Sequence, residues 1–228
     1  MWGHMFNRPN TFDLKPIGLE FGFNCLNNRP APHRLLLGSK LLEAGLLKDI
    51  LYTQNIWGEI DKDLHITPQL FCFINQLPIR LYEESMPLGS SGNIGPVVDH
   101  ISHQNSYCTI ITETETDHGL EIITEKSYKP FIAKQIPLYL SCPGHLLYLK
   151  SLGFEVFENL YPAGYDFMTT DQKIQNIVDI VALGKDYIED FYFAHTKEIQ
   201  HNHDWYFSGN VQQLIFQRIQ EYCLESLA

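Results

Sequence analysis

The chain lacks most of the features that announce a role. It has no Cys-x-x-Cys pair, and its five cysteines (Cys25, Cys72, Cys108, Cys142 and Cys223) are scattered and odd in number. That usage excludes a disulfide framework and fits reduced, buried thiols in a cytoplasmic protein. No apolar run approaches the ~20 residues needed to cross a bilayer. The opening Met-Trp-Gly-His-Met-Phe-Asn-Arg-Pro-Asn has none of the apolar character of a signal peptide. Positive charge is scarce: 16 Lys and Arg stand against 27 Asp and Glu, a net charge of −11. That balance argues against a nonspecific nucleic-acid binder and leaves room only for a local basic cleft. There is no internal repeat of fixed period and no low-complexity tract. What remains is ordinary for a soluble protein: 228 residues, 44% hydrophobic and 19% charged, enough for a substantial core.

Strand and helix patterns alternate along much of this length. Residues 19–26 (Leu-Glu-Phe-Gly-Phe-Asn-Cys-Leu) alternate as a strand. The polar loop Asn-Asn-Arg-Pro-Ala-Pro follows, then a helix over 33–47 with Leu35, Leu36, Leu42 and Leu46 on its apolar side, closed near Gly45, then a strand over 49–53. The β-branched run Ser106–Thr112 predicts a further strand, ending in the acidic loop 113–119. The stretch 120–157 repeats the alternation. Thr124 caps a helix with Glu125 and Lys126 in its first turn, Leu138 to Leu140 make an apolar strand, and Pro143-Gly144 turns the chain into a helix over 145–152 ended by Gly153. Residues 154–157 alternate like another strand.

Between these stretches, 66–74 is apolar, 77–82 is a short helix or strand, and the Gly- and Ser-rich 87–96 is an ordinary connection. Residues 171–200 predict a helix with a weak point at Gly184, and 211–227 a last amphipathic one. The expectation is an α/β protein: a Rossmann-like parallel sheet with flanking helices. It is one domain over 1–228, with a lead-in arm (1–18), a core (19–160) and C-terminal helices (161–228).

In such sheets ligands sit beyond the carboxyl ends of strands, where helices begin. Two loops present charge there: one with Arg29, His33 and Arg34, the other with Glu113 followed by Glu125, Lys126 and Lys129. Cations beside a helix start suit a diphosphate, and a carboxylate such as Glu125 can accept both ribose hydroxyls. The plain alternative is that Glu125 and Lys126 form a solvated first turn.

Ile123-Thr-Glu-Lys126, followed by Ser-Tyr-Lys-Pro-Phe-Ile-Ala-Lys-Gln-Ile-Pro-Leu-Tyr-Leu140, resembles the donor-binding motif of fucosyltransferase-like glycosyltransferases. Ile111-Thr-Glu113 resembles the family's strand ending in a glutamate, and the segment from Phe23 to Arg34 its strand, Asn-rich loop and arginine. The chain is also similar to small, uncharacterised viral and bacterial glycosyltransferase-like proteins through the Pro-Gly-x-Leu-x-x-Leu turn at Pro143 to Leu149 and the Leu-Gly-Phe at Leu152 to Phe154. The resemblance spans roughly 20–205 with a gap in the middle. It departs from the fucosyltransferase pattern at Ile122, where tyrosine is usual, at Lys129, where asparagine is usual, and in lacking a match to the family's separate acceptor domain.

The resemblance implies the donor-binding half of a GT-B arrangement. It further implies an inverting, metal-independent transfer of a sugar from a nucleotide-diphosphate donor to an acceptor hydroxyl, with no cofactor. Arg34 and Lys126, with Lys129, would hold the donor's phosphates and Glu125 the ribose. Glu113 is the preferred catalytic base over Asp117, His118 and Glu83. A partner or second copy would supply the acceptor surface.

The alternatives are a noncatalytic nucleotide-sugar-binding module and a structural module on the same scaffold. Metal readings are weaker. Asp61-Lys-Asp63, which has the Asp-x-Asp form of metal-dependent GT-A transferases, reads as a solvated loop in a polar segment, while Asp99-His100 with His103, and His201 with His203 and Asp204, lack a third spaced block. Tyr187, Phe191, Tyr192, Trp205 and Tyr206 suit packing better than a sugar platform.

Overall fold

The computed structural model describes residues 12–27, 29–55, 60–61, 64–79, 101–114, 116 and 124–225. The expected connection at 87–96, the residues Asp63, Glu83, Asp99, His100, Asp117, His118 and Ile122, and the first part of the lead-in arm lie outside them.

In chain order the elements are β1 (Phe21–Asn27), α1 (Pro32–Glu43), β2 (Ile50–Gln54), α2 (Pro68–Ile74), α3 (Ile101–Gln104), β3 (Ser106–Thr112), α4 (Lys129–Ile132), β4 (Ile136–Leu140), α5 (His145–Ser151), α6 (Thr170–Ala182), α7 (Gly184–Ala194), α8 (Thr196–Phe207) and α9 (Asn210–Glu225). The four strands pair in the order β2-β1-β3-β4, and every pairing is parallel. The protein is thus α/β with a Rossmann-like parallel sheet flanked by helices. The chain leaves β1 for β2 on one side and comes back past β1 to β3 on the other. The strand order therefore reverses between β1 and β3, which opens a crevice at their carboxyl ends.

Side-chain alternation assigns the two faces of β1. Gly22 faces Lys185 and Ile188 of α7, so close that any side chain there would collide. Cys25 and Asn27 face the opposite way, toward Tyr52 and the charge of Arg34 on α1. On that second face Gly38 of α1 lies against the Phe73 ring of α2 and the Tyr52 hydroxyl. The apolar face of 66–74 is accordingly a helix packed on a helix.

The lead-in arm is held down where the structure describes it. Tyr107 donates to the Pro16 carbonyl at 2.8 Å, Glu189 accepts from the Gly18 N–H at 2.8 Å, and Lys15 is buried.

Four sequence expectations need correction. The strand at 154–157 does not form. Phe154 and Val156 are buried as expected, but the outer edge of β4 is already occupied by hydroxyls. Tyr161 donates to the Pro137 carbonyl (2.9 Å) and accepts from the Tyr139 N–H (3.2 Å), while Tyr165 donates to the Tyr139 carbonyl (2.7 Å). The Glu155 N–H and carbonyl pair instead with the Asn202 side-chain amide, at 2.8 Å each. An edge strand is satisfied here by tyrosines rather than by a fifth strand.

The helix expected over 171–200 is divided into α6, α7 and α8. Gly184 at φ 87° makes the first break, as its weak point suggested, and His195 the second. The helix after Thr124 is a 3₁₀ turn (Glu125–Tyr128) followed by the single turn of α4. Of the cysteines, Cys25, Cys108 and Cys142 are buried free thiols, but Cys72 is exposed.

The contact at Gly38 gives a stability test. Replacing Gly38 with alanine drives a methyl group into the fully buried Phe73 ring and should cost about 1–3 kcal/mol in urea unfolding. A neutral result would mean that α1 and α2 are not packed as described.

Candidate functional site

The β1–α1 connection places two basic side chains at the crevice. Pro30 and Pro32 keep the chain extended before the helix, and Pro32 begins α1, where its missing N–H costs nothing. His33 and Arg34 follow in the first turn, and both are buried. Arg34 reaches across to β3: one terminal nitrogen donates to the carbonyls of Thr112 and Glu113, at 3.2 Å each, and the other to the Arg29 carbonyl at 3.4 Å. His33 donates from Nε2 to the same Glu113 carbonyl at 2.8 Å, since a carbonyl can only accept. Arg34 Nε is buried without a hydrogen-bond partner, as is Gln54 Oε1 at the end of β2, whose amide nitrogen shares the Arg29 carbonyl at 3.1 Å.

Glu113 is the junction of the site. Its N–H extends the β3–β4 ladder by donating to Leu140 at 2.9 Å. Its carboxylate is fully buried and accepts from Thr124 Oγ1 at 2.7 Å and from Ser127 Oγ. Thr124 also accepts from the Lys126 N–H at 3.3 Å, capping the 3₁₀ turn. One carboxylate therefore fixes the segment that carries Glu125, Lys126 and Lys129.

Ser127 extends the network to His145, the first residue of α5, whose Nε2 lies 3.2 Å from the serine oxygen. Ser127 spends its only proton on Glu113, so His145 is the donor and its Nδ1 is left a bare lone pair, buried without a partner. Burial first, then the Lys173 charge, lowers the imidazole to about 4. Serine, histidine and glutamate are thus in contact, but the serine sits in the middle and is inaccessible, so this is a positioning network and not a nucleophilic triad.

The cations converge. Lys126 is half-buried, and among the described residues its ammonium has no hydrogen-bond or ion-pair partner. Burial lowers it to about 8, with the positive charges of Arg34 and Lys129 acting the same way and Glu113 and Glu125 opposing them. Burial also lowers Lys129, against Glu125 and Glu113, and lowers Arg34. Arg34, Glu113, Glu125, Lys126 and Lys129 therefore share one electrostatic neighbourhood at the carboxyl ends of β1 and β3.

Two expectations about this site change. The helix dipole contributes little, because the segment after Thr124 is too short to sum one, so the charge comes from the side chains. Glu113 does not stand open as a proton acceptor, because both of its oxygens are taken by hydroxyls.

The structure also adds residues that sequence reasoning missed: Ser127, His145, Gln54, and a brace formed by Asp166 and Lys173. Asp166 accepts from the N–H groups of Leu146 and Leu147 at 3.1 and 3.0 Å, capping α5 from outside. Lys173, buried on α6, donates to the carbonyls of Ser141 (2.9 Å) and Asp166 (3.0 Å). Its position four residues before Ile177, on the apolar side of α6, was the available signal.

Of the other candidates, Asp63, Asp99 and His100 lie outside the described residues. Among the described residues no three His, Cys, Asp or Glu side chains group as a metal site. His201 meets the Gly153 carbonyl at 2.9 Å, and Trp205 packs on Gly153 and donates to the Leu152 carbonyl at 2.7 Å.

Comparison of the chain with known protein families, with curated proteins and with solved structures finds no match. The chemistry of the site thus rests on its own geometry, and His145 gives the first check. An imidazole held at about 4, against 6.5 when unfolded, takes up its proton more readily in the unfolded chain. Stability is then complete above pH 6.5 and is lost as pH falls toward 4, by at most about 3 kcal/mol from this group. His145→Gln keeps a donor for Ser127 and cannot titrate, so its unfolding free energy should fall less than wild type between pH 7 and 4.5. Equal losses would contradict the network.

Proposed function

We propose that the protein is a glycosyltransferase that moves a sugar from a nucleotide-diphosphate donor to an acceptor hydroxyl, with inversion and without a metal. The observation that carries this reading is the meeting of Arg34 and Lys126, from segments far apart in sequence, beside Glu113 at the strand-order reversal. Two cations in one another's field, on a preorganised frame, suit a diphosphate. In the reaction the acceptor oxygen bonds to the anomeric carbon while that carbon's bond to the phosphate oxygen breaks. The diphosphate leaves with the electron pair, and Arg34, Lys126 and Lys129 stabilise its growing charge. Glu125, next to these lysines, would bind the ribose hydroxyls. Glu113 acts as the residue that holds the lysine segment in place. Free thiols, one of them exposed on Cys72, suit the reducing cytoplasm. The acceptor surface would come from a partner or a second copy.

The enclosure of Glu113 favours one second reading, a noncatalytic module that binds the nucleotide sugar without transferring it. The other carboxylate and imidazole candidates for the base, Glu83, Asp117 and His118, lie outside the described residues.

A thermal-shift screen of nucleotide sugars, followed by calorimetry on the best binder, tests both readings. Lys126→Ala should weaken that donor at least tenfold, about 1.4 kcal/mol, and unchanged affinity would remove the phosphate assignment. Release of free sugar or transfer to a simple acceptor separates enzyme from binding module.

A further inference from the structure

The carboxyl edge of the sheet carries its site residues in strand order. Gln54 ends β2 and lies in register with Asn27, the last residue of β1. Thr112 ends β3 and donates through its hydroxyl to the Asn27 side-chain oxygen, and Glu113 follows it. The segment from Thr124 to Lys129 lies beyond Glu113 on the β4 side, where Ser127 meets Tyr139 and His145. Two strand spacings, about 10 Å, separate the ends of β2 and β3. Arg34 bridges them, with Thr112 and Glu113 on one side and Arg29 on the other.

On the β2 side the Arg29 carbonyl gathers three donors. They are the Ala31 N–H at 3.0 Å, Arg34 Nη1 at 3.4 Å and Gln54 Nε2 at 3.1 Å. Gln54 Nε2 also donates to the Asn55 carbonyl at 3.0 Å, so both of its hydrogens are engaged and the amide orientation is fixed. The amide oxygen then faces away from these carbonyls and has no partner among the described residues, nor has the Arg34 Nε–H. The two residues are only 0% and 5% exposed. Yet the carbonyls that hold the Gln54 amide belong to Arg29, which is exposed, and Asn55, which is half-buried, so the pair sits just inside the rim of the crevice.

An unused acceptor and an unused donor, both anchored to one carbonyl, form a complementary pair. Buried polar groups are ordinarily satisfied, and one left without a partner carries its full desolvation cost. An anion would suit the Arg34 nitrogen but be repelled by the amide oxygen. A hydroxyl suits both, because it accepts from Arg34 and donates to Gln54.

We infer that Gln54 is a specificity-determining residue which, with Arg34 Nε, binds a hydroxyl group of the transferred sugar. The inference rests on the glycosyltransferase reading, which places the ribose at Glu125 and the diphosphate between Lys126 and Arg34. Continuing across the strand ends, the sugar falls on the β2 side, at Gln54. A site that hydrogen-bonds a substrate hydroxyl rejects the analogue lacking it, since its own polar groups are then left unpaired.

The test is calorimetry on wild type and Gln54→Met with pyrophosphate, with UDP and GDP, and with UDP-glucose, UDP-galactose, GDP-mannose and GDP-fucose. In wild type the preferred nucleotide sugar should bind about tenfold tighter than its nucleoside diphosphate, and one of its singly deoxygenated forms should lose that gain. Gln54→Met should remove the gain while pyrophosphate and the nucleoside diphosphate keep their affinities within about twofold. A glutamine that only braces the Arg29 loop would weaken all probes together, and a buried water held by the pair would leave all of them unchanged. Either result overturns the inference. The deoxygenated series needs no variant, so equal binding of every member overturns it even if Gln54→Met does not fold. Failure of pyrophosphate and of every nucleotide to bind would remove the diphosphate reading and this inference with it, whereas the other outcomes leave that reading standing.

Discussion

Everything at the carboxyl edge of the sheet depends on what Glu113 holds. Its N–H lengthens the β3–β4 ladder, its carbonyl gathers Arg34 and His33 from α1, and its carboxylate gathers Thr124 and Ser127 from the segment after β3. A single buried residue thus links the two halves of the crevice through every polar group it owns. A buried carboxylate is costly unless its oxygens are well occupied and cations stand nearby. Here two hydroxyls and the surrounding Arg34, Lys126 and Lys129 meet that cost. The same arrangement keeps three cations in a protein that is otherwise strongly acidic.

Among the described residues, Arg34 and Lys126 are not paired off with a carboxylate. Arg34 spends its terminal nitrogens on backbone carbonyls, which position the side chain without cancelling its charge, and its Nε makes no bond at all. Lys126 projects from a turn whose cap, Thr124, is itself bonded to Glu113. Positive charge is therefore built into a preorganised frame, which separates this cluster from the surface ion pair of Lys150 and Glu158, 2.8 Å apart with both side chains more than half exposed. Behind the frame, Lys173 and Asp166 brace the turn after β4, so α5 presents His145 at a fixed height.

Much of this was legible in the sequence, because the signals were local. The alternation around Phe23, the β-branched run ending at Thr112 and the Leu-rich stripe of α1 each carry their own period, and they specify a parallel α/β sheet. Arg34, Glu113, Glu125, Lys126 and Lys129 could be named because they flank strand ends.

What was not legible depends on contacts between distant residues. Phe154 and Val156 alternate like a strand, yet Tyr161 and Tyr165 had already filled the edge of β4, and no local pattern reports a tyrosine hydroxyl doing the work of a backbone. Glu113 read as a catalytic base because it ends a strong strand near the site, and its burial follows only from Thr124 and Ser127 folding over it.

The central claim is that Glu113, Arg34 and Lys126 form one electrostatic unit built to receive a diphosphate. The most direct measurement is the titration of the Lys126 ammonium by NMR with labelled lysine, alone, with pyrophosphate, and in Glu113→Gln. The account predicts a value of about 8 against the ordinary 10.5, a further fall when the Glu113 charge is removed, and a rise when pyrophosphate binds. A lysine that titrates at its ordinary value and responds to neither change would contradict it.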